Sequence, residues 1–549
     1  MLLRSLMVEN FRAIQSARIS FDPTTVLIGE NDCGRSSIVE AIALALGWNA
    51  PEGGFLFQPF HVHRGSDPDP SPIRIDLEFV ESFSREWDGE AFQTLREWLP
   101  DALGKNRRLY LEVTARPSQA ETGWSLRSGG GTARAGNRDL LAWLRRRMPV
   151  FRTTEGMLAG NLAGTDRKPL PAGAVRDLAD EVSRSYRDLM AGTAADVQSA
   201  VEAGAEAARQ LLIARGDLLT RPGTGMGTVL EEITGKRKAP RQRAAVEFRT
   251  QGSAAQKIGT LLLVGALLRS GRGVVENGVD PLILIEDPEA HLHPMTLASI
   301  WAIMDRVAGQ KIIATHSGTL LASARLSSVR RLTRHDGVVR EWRVPERSLT
   351  ADELRRYSYH LRSRRAAASF ARCWLLVEGE TEYWLMSELA RVCGYGFASE
   401  GVACVEFAQC GLGALIKVAR HLGIQWHLLA DGDRAGQDYA RSAGQHAGEG
   451  GLRDRVTLLR EADIEACFWR HGYADVFRKA AYPTSAEQHA NAPAKVVIQR
   501  AIQRHSKPFL AVLLLDAVID RGPGGVPPPL RKAIETCVRL ARQGRSTGG

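Results

Sequence analysis

The first 45 residues alternate apolar and polar positions and then change to a helical period. The apolar positions of 3–11 outline one strand, and residues 19–21 continue a second. Residues 25–28 (TVLI) form a short apolar run that predicts a buried strand. A glycine-bearing loop follows, after which the apolar residues of 36–47 (SSIVEAIALALG) recur at helical spacing. The pattern predicts two strands, a third buried strand, a loop and a helix.

Further along the chain, helical and strand patterns separate into two regions. The apolar residues of 172–215 recur at helical intervals among Ala, Arg, Asp and Glu, which predicts one or two amphipathic helices. Residues 282–285 and 312–314 are short apolar strands that each end in polar residues. From residue 373 a new alternation of strands (WLLV, HLLA, VTLL) and helices predicts a second α/β unit. The Gly- and Pro-rich segment 521–530 precedes a final helix.

Composition narrows the class of protein. A chain of 549 residues has room for about three or four domains. With 44% hydrophobic and 24% charged residues it is not a largely disordered chain. No apolar run is long enough to cross a bilayer and no leader is visible, so we expect a cytoplasmic protein without a membrane partner. The seven cysteines form no C-x-x-C pair, and the net charge of +10 is only a weak indication of an anionic partner.

Residues 29–37 (GENDCGRSS) have the spacing of a phosphate-binding loop, G-x-x-x-x-G-K-[ST]. The glycines would let backbone N–H groups surround a phosphate at a helix N-terminus, and Ser36 would ligate Mg²⁺. Arg35 stands where the lysine is expected, and it cannot place a compact ammonium between two phosphates, so we expect ATP binding and question hydrolysis. Taken alone, the segment could equally be a glycine-containing turn. The candidate ATP-binding residues are Gly29, Asn31, Gly34, Arg35, Ser36 and Ser37.

Two strand ends downstream complete the nucleotide motif. The strand 282–285 is followed by adjacent carboxylates, Glu286 and Asp287, of which one can hold Mg²⁺ and the other can polarise the attacking water. His316 follows the strand 312–314 and could contact the γ-phosphate. These companions favour a site for ATP and Mg²⁺ over a plain turn.

The segments NFRAIQSARISF, VLIGENDCGRSSIVEAI, LILIEDPEAHLHP and IIATHS together resemble the ABC ATPases of the SMC/RecF type. The resemblance implies a composite ATP site, in which the phosphate loop of one subunit faces the signature segment of another. The signature candidates are Gly252, Ser253 and Gln256. His291 and His293 are spaced like a metal pair, but the resemblance favours a turn after the strand.

A second group of carboxylates lies at strand ends in the C-terminal half. Glu378 follows the strand WLLV, and Glu382 lies four residues later at the start of a helix. Asp431 and Asp433 follow the strand HLLA. Because carboxylates that share a site repel one another unless a cation intervenes, this group predicts a Mg²⁺ or Mn²⁺ site.

The combination of E-G-x-x-E and D-x-D resembles the Toprim domain. An SMC/RecF-type ATPase followed by Toprim resembles the OLD (overcoming lysogenization defect) family of nucleases. That resemblance implies two divalent ions that cut DNA, held by the four carboxylates above and by a D-x-E element, Asp463 and Glu465. It also implies a late lysine at the phosphate, for which Lys507 is the candidate and Lys495 the alternative. Read without the resemblance, Asp463 and Glu465 could be a solvated helix start.

The predicted fold class is α/β: an ABC-type ATPase head with a helical insertion, followed by a Toprim α/β domain. The insertion resembles in position the dimerisation insertion of OLD proteins, which implies a homodimer, and packing against its own head is the alternative. The basic segments 236–243 and 355–365 could contact DNA phosphates or be solvated loops. The predicted boundaries are 1–165 and 236–350 for the head, 166–235 for the insertion, 351–371 for an Arg-rich connector and 372–549 for Toprim.

The predicted function is a metal-dependent DNA endonuclease, with exonuclease activity left open, regulated by its ATP-binding head. In two-metal catalysis one ion activates water and the other stabilises the leaving oxygen, and a lysine offsets charge on the phosphate. A role in phage defence or DNA repair, and a helicase partner, follow from the family alone. One alternative is an ATP-sensing DNA clamp in which neither site turns over; a topoisomerase or primase is disfavoured because no module with a covalent tyrosine is visible. The catalytic candidates are Lys507, Glu378, Asp431, Asp433 and Asp287.

Overall fold

The structure is a computed structural model of the chain. It describes residues 1–46, 57–63, 71–99, 107–116, 121–129, 134–135, 138–154, 157–161, 279–290, 309–359, 366–446, 454–484 and 489–544, together with isolated positions between these ranges. Almost all of the predicted helical insertion lies outside the described residues, as do the basic segment 236–243, Gly252, Ser253, Gln256, His291 and His293. The predictions made for them are therefore untested.

The chain divides into two compact units, Met1–Glu341 and Trp342–Arg545. The first unit is built on one sheet, whose order is β7-β6-β5-β4-β1-β2-β13-β12-β3-β11-β10-β8-β9. Its strands are Leu2–Phe11 (β1), Ile14–Ser20 (β2), Thr24–Gly29 (β3), Ile73–Val80 (β4), Arg108–Arg116 (β5), Glu121–Ser128 (β6), Arg134–Ala135 (β7), Val150–Thr154 (β8), Met157–Asn161 (β9), Leu282–Glu286 (β10), Gln310–Ala314 (β11), Val329–His335 (β12) and Val338–Trp342 (β13).

One part of this sheet is parallel and carries the predicted nucleotide motif. β3 pairs in parallel with β11 and β12, and β10 pairs in parallel with β11 and β8. β10 and β11 are buried along their whole length, as expected for apolar strands covered on both faces. Because parallel strands end at the same edge, the segments after β3, β10 and β11 meet there. The described helices of this unit are Arg35–Ala45 (α1), Gln93–Trp98 (α2), Arg138–Arg147 (α3) and Gly318–Ser323 (α4), with short 3-10 turns at Pro59–His61, Glu86–Asp88, Glu90–Phe92 and Leu326–Ser328.

The second unit contains a parallel sheet of order β15-β14-β16-β17. Its strands are Cys373–Val377 (β14), Val402–Glu406 (β15), Gln425–Ala430 (β16) and Val456–Leu458 (β17). Its described helices are Ala351–Tyr357 (α5), Glu380–Val392 (α6), Leu412–His421 (α7), Arg434–Gly444 (α8), Ile464–Phe468 (α9), Ala474–Ala481 (α10), Ala494–His505 (α11), Lys507–Arg521 (α12) and Pro528–Gln543 (α13), with short helical turns at Ala366–Phe370, Trp469–Tyr473 and Pro523–Gly525.

The predicted α/β class is confirmed. The predicted Arg-rich connector begins inside a helix, α5, because Thr350 and Glu353 form a capping box at its start. The break predicted over 521–530 is shorter in the structure, where residues 522–527 separate α12 from α13. Among the described helices, none has an apolar stretch long enough to cross a membrane.

Candidate nucleotide site and candidate metal centre

The predicted phosphate-binding loop connects the end of β3 to the start of α1. Gly29 ends β3 with φ +154°, and Gly34 precedes α1 with φ +99°. A Cβ at Gly29 would lie 2.5 Å from the carbonyl oxygen of Leu332, closer than side chains approach a backbone. No side chain caps α1, so the N–H groups of its first turn are available to an anion. Asn31 is exposed in this loop, whereas Ser37 is buried in the first turn of α1.

Arg35, the first residue of α1, is buried and engaged within the protein. Its Nη1 donates to the carbonyl oxygen of Gly29 at 2.5 Å, and its Nη2 contacts the His316 ring at Nε2 and, at 3.0 Å, at Nδ1. Burial and the charge of Arg35 lower the pKa of His316, so the ring is neutral at pH 7 and can accept from the guanidinium. The group that replaces the expected lysine is thus directed at a strand end and a histidine.

The two carboxylates at the end of β10 have different surroundings. Glu286 is buried and accepts a hydrogen bond from Nε of Arg152 at 2.7 Å. Burial raises the pKa of Glu286, and the charge of Arg152 and the hydroxyl of Ser36 partly offset that rise. Asp287 is half exposed, with its Oδ1 3.8 Å from Nε2 of His316. The structure therefore brings Ser36 to Glu286, and Asp287 to His316.

Two charged residues of this site were not predicted from the sequence. Arg152 lies in β8, 134 positions before Glu286, and no local spacing signals a pair so far apart. Glu289 accepts from Oγ1 of Thr315 at 2.9 Å and from the backbone N–H of His316 at 2.5 Å. Glu289 lies three residues after Glu286, so the third carboxylate in the segment E-D-P-E could have been identified from the sequence as a further candidate site residue.

The second group of carboxylates meets at one edge of the second sheet, since β14, β16 and β17 are parallel. Glu378 follows β14, and Asp431 follows β16. Burial and the negative charges of Glu382, Glu378, Asp463 and Glu465 raise the pKa of Asp431 to about 8. These charges act on Asp431 because the segments after the parallel strands β14, β16 and β17 meet at this edge of the sheet. The structure thus brings together side chains that the sequence places on three different strand ends.

Three of these acidic side chains are held at helix N-termini. Glu382 accepts from the backbone N–H of Gly379 at 3.0 Å, and Asp433 and Asp463 each accept at 2.7 Å from the N–H three residues later. Burial and the charge of Asp433 raise the pKa of Glu378, so Asp433 belongs to the same group. Each cap orients a carboxylate and leaves oxygen lone pairs for another ligand. We call these six residues the carboxylate cluster: Glu378, Glu382, Asp431, Asp433, Asp463 and Glu465.

Lys507, the first residue of α12, lies beside this cluster with Nζ 3.2 Å from Oε1 of Glu465. Burial opposes its charge, but Glu465, Asp463 and Glu382 raise the pKa of Lys507 above its ordinary value, so it is charged at pH 7. Glu465 is 3% exposed, which contradicts a solvated helix start for this residue, whereas Asp463 does cap α9. Lys495 and Lys507 are both exposed in the first turn of a helix, and among the ion pairs of the described residues it is Lys507 that contacts a carboxylate of the cluster.

The loop D-G-D-R-A-G after β16 has two glycines where no side chain fits. A Cβ would lie 2.3 Å from the carbonyl oxygen of Glu461 at Gly432, and 1.9 Å from that of Asp431 at Gly436. The N–H of Gly432 donates to the same Glu461 oxygen at 2.9 Å, which joins the loops after β16 and β17. This contact keeps Asp431 next to Asp463. Sequence reasoning missed Glu461 and both glycines, although their spacing in D-G-D-x-x-G was a visible signal.

The donors of the carboxylate cluster fit a divalent cation in their chemistry. Carboxylate oxygens are hard ligands that suit Mg²⁺ and Mn²⁺, and a divalent ion relieves their mutual repulsion. Within the described ranges, no three histidine, cysteine, aspartate or glutamate side chains are arranged to hold an ion together.

Comparisons with known families cover both units. Residues 1–368 match the family described as protein of unknown function (DUF2813), and residues 370–433 match the overcoming lysogenization defect protein-like TOPRIM domain. A relative called uncharacterized protein YbjD, from Escherichia coli (strain K12), is 31% identical over 576 residues, which cover 99% of this chain and 99% of that protein.

Solved structures are similar at a lower level. The C-terminal region of the Burkholderia pseudomallei OLD protein is 16% identical with a TM-score of 0.27, over 31% of this chain and 99% of that chain. The SMC head domain from Thermotoga maritima is 13% identical with a TM-score of 0.31, over 63% and 100% of the two chains. The SmcHead bound to the C-winged helix domain of ScpA is 12% identical with a TM-score of 0.36, over 63% and 98%. Similarity at this level does not bear on function.

Proposed function

Because the chain belongs to the DUF2813 family and matches an OLD-like TOPRIM domain over residues 370–433, we propose that it is a metal-dependent DNA nuclease. Its Toprim domain would cleave phosphodiester bonds, and its nucleotide-binding head would regulate the cleavage. Endonuclease action is the expected mode. The proposal concerns the substrate class and the reaction, which family membership leaves open.

The observation that carries the proposal is the environment of Asp431. Burial and four other carboxylates raise its pKa to about 8, which supports a cluster whose negative charges repel one another unless a cation lies between them. Lys507 supplies one positive charge, 3.2 Å from Glu465. The remaining charge favours divalent cations, for which Mg²⁺ or Mn²⁺ is the chemical match.

The residues of the cluster have distinct roles in this proposal. Two bound ions would activate a water and stabilise the leaving oxygen. Glu378, Asp431 and Asp433 would hold them from the ends of β14 and β16, and Glu382, Asp463 and Glu465 would complete the ligand set. Lys507 would offset negative charge on the phosphate, with Glu465 fixing its position.

In the head, we propose that nucleotide binds at the loop between β3 and α1 with Mg²⁺ held by Ser36 and Glu286. Asp287 would orient the attacking water beside His316 if hydrolysis occurs. Arg35 is engaged with Gly29 and His316, so turnover should be slow. That engagement of Arg35 is the observation that favours the alternative, an ATP-sensing DNA clamp in which neither site turns over.

Several finer statements rest on the OLD resemblance and stay predictions. They are a homodimer formed through the insertion, a composite ATP site that includes Ser253, the predicted domain boundaries, a helicase partner, and a role in phage defence or DNA repair. Size measurement in solution with and without ATP tests the dimer directly.

Cleavage of supercoiled plasmid tests the nuclease proposal. The full chain is incubated with Mg²⁺, Mn²⁺ or EDTA, each with and without ATP, beside Asp431→Ala and Glu378→Ala. The matched control is Asp438→Ala, which removes an exposed carboxylate of α8 that pairs with Arg441. We expect nicked or linear DNA with metal from the wild type and the control, and none from the two cluster variants.

Two results would contradict the proposal. Cleavage by Asp431→Ala and Glu378→Ala at the wild-type rate would mean that another site, or a contaminant, cuts the DNA. Absence of cleavage with every metal, together with ATP-dependent retention of DNA, would favour the clamp.

A further inference from the structure

Arg152 occupies a buried position between the strand that carries Glu286 and the helix that follows the phosphate loop. It lies in β8, directly beside Leu284 of the parallel strand β10, and its side chain is about 10% exposed. Its Nε donates to Oε1 of Glu286 at 2.7 Å. Its Nη2 lies 3.5 Å from Oε2 of Glu40, a residue of α1. One guanidinium therefore contacts acidic groups from two elements of the nucleotide site.

Glu40 is itself fixed from the other side. Nη1 of Arg12 donates to Oε2 of Glu40 at 2.5 Å, and Nε2 of His61 lies 3.6 Å from Oε1. The contacts with Arg12 and His61 therefore hold Glu40 in place beside Arg152. The chain of contacts runs from Arg12 through Glu40 and Arg152 to Glu286.

A planar guanidinium restrains a carboxylate more strictly than a single point charge does. Its N–H groups have fixed directions, so the hydrogen bond from Nε restricts where Oε1 of Glu286 can lie. Ser36 interacts with the same carboxylate, and Ser36 is the residue proposed to ligate Mg²⁺. The orientation of Glu286 thus decides whether one of its oxygens faces an ion beside Ser36.

We infer that Arg152 is a positioning residue for the Mg²⁺ that accompanies a bound nucleotide, because it orients Glu286 and ties that carboxylate to α1 through Glu40. This inference rests on the nucleotide site proposed for the head and is independent of the nuclease proposed for the Toprim domain. Arg152 contributes no ligand to the ion. Arg152 instead acts on the orientation of Glu286, the proposed ligand. Residues that orient a metal ligand in this way typically weaken metal affinity about 10–100-fold when they are lost.

Binding of fluorescent N-methylanthraniloyl-ATP by the full chain tests the inference without any turnover. Nucleotide is titrated in EDTA and then at fixed concentration against Mg²⁺, which gives the Mg²⁺ concentration for half-maximal effect. The variants are Arg152→Gln, which removes the charge, and Arg152→Lys, which keeps the charge and loses the fork. The matched control is Arg147→Ala, because Arg147 is equally buried and contacts Glu86 and Asp280 instead.

For Arg152→Gln we expect the half-maximal Mg²⁺ concentration to rise about 10–100-fold, with nucleotide binding in EDTA changed less than about twofold. Arg152→Lys should fall between Arg152→Gln and wild type. Arg147→Ala should lower the melting temperature and leave the Mg²⁺ dependence as in wild type. A structural role alone would make the Arg152 variants behave like that control.

The overturning results differ from those that refute the nuclease. An unchanged Mg²⁺ requirement in folded Arg152→Gln would refute the inference alone, and so would a lower one, since Arg152 would then merely compete with the ion. If the wild type binds no nucleotide, the inference and the nucleotide site fall together. Plasmid cleavage reports on the Toprim domain separately from either outcome.

Discussion

The pair formed by Lys507 and Glu465 allows the structural and the catalytic contribution of a lysine to be separated. Nζ of Lys507 lies 3.2 Å from Oε1 of Glu465, and the two side chains are 48% and 3% exposed. Lys507→Met removes the cation and keeps most of the apolar length. Glu465 would then remain buried beside Asp431 and Asp463 without its positive neighbour.

The size of the effect follows from this geometry. At 3.2 Å and an effective dielectric constant of about 20, the attraction between the two charges is about 5 kcal/mol. Half of the Lys507 side chain is solvated, so screening leaves a net loss of about 2 kcal/mol on removal. Lys507 lowers the pKa of Glu465 against the rise caused by burial. Without it the folded-state pKa rises further above the unfolded value, so the loss grows as pH rises above about 4.5.

A double-mutant cycle measured by urea unfolding in EDTA checks this reasoning. Glu465→Gln in the Lys507→Met background should recover the lost stability, because no uncompensated charge remains, while cleavage stays absent. The matched control is Lys417→Met, since Nζ of Lys417 is 2.8 Å from Oε1 of the more exposed Glu353 and should matter by less than about 1 kcal/mol. If Lys507→Met destabilised the wild type and the Glu465→Gln variant equally, the pair would carry no coupling and the reasoning would be refuted.

Three further predictions concern other charges. Asp431→Asn should raise the free energy of unfolding in EDTA by up to about 5 kcal/mol at pH 8, because burial and neighbouring carboxylates raise the folded-state pKa to about 8. The gain should vanish toward pH 4, and urea unfolding that shows no gain at pH 8 would contradict the crowding of negative charge. Burial lowers the pKa of His427 to about 4, so between about pH 6.5 and pH 4 the ring is protonated in the unfolded chain and neutral in the folded one. Stability should therefore fall by about 2 kcal/mol from pH 7.5 to 5, and His427→Gln, compared in the same titration, should lack that part of the fall. Arg35→Lys should raise ATP turnover, measured as phosphate release, because it removes the contacts with Gly29 and His316. Unchanged turnover would mean that Arg35 does not limit hydrolysis.

Local sequence patterns were enough to predict the strand ends at which the candidate site residues lie. The apolar runs before Glu286, Glu378 and Asp431 predicted buried strands, and each proved to be a strand that ends where the polar residues start. Hydrophobic periodicity depends on neighbouring residues, so it can be read without the fold. The order of the motifs also predicted an ATPase-type head followed by a Toprim domain, and residues 370–433 match the OLD-like TOPRIM domain.

Other features depended on which strands are neighbours. Arg152 meets Glu286 only because β8 pairs with β10, and the pair is separated by 134 positions in sequence. The choice between Lys507 and Lys495 likewise required the packing of α12, since both lysines stand in the first turn of a helix.

The sequence by itself determined the residue types at each strand end, and with them the kind of chemistry proposed here: phosphate binding in one unit and hard-cation binding in the other. The tertiary structure alone decided how those groups act on one another, including the raised pKa of Asp431 and the turn of Arg35 toward His316. The physical reason is the separation along the chain over which each effect acts. Backbone periodicity is set over a few residues, whereas burial and charge interactions act between groups that only the order of strands in a sheet brings within a few ångströms.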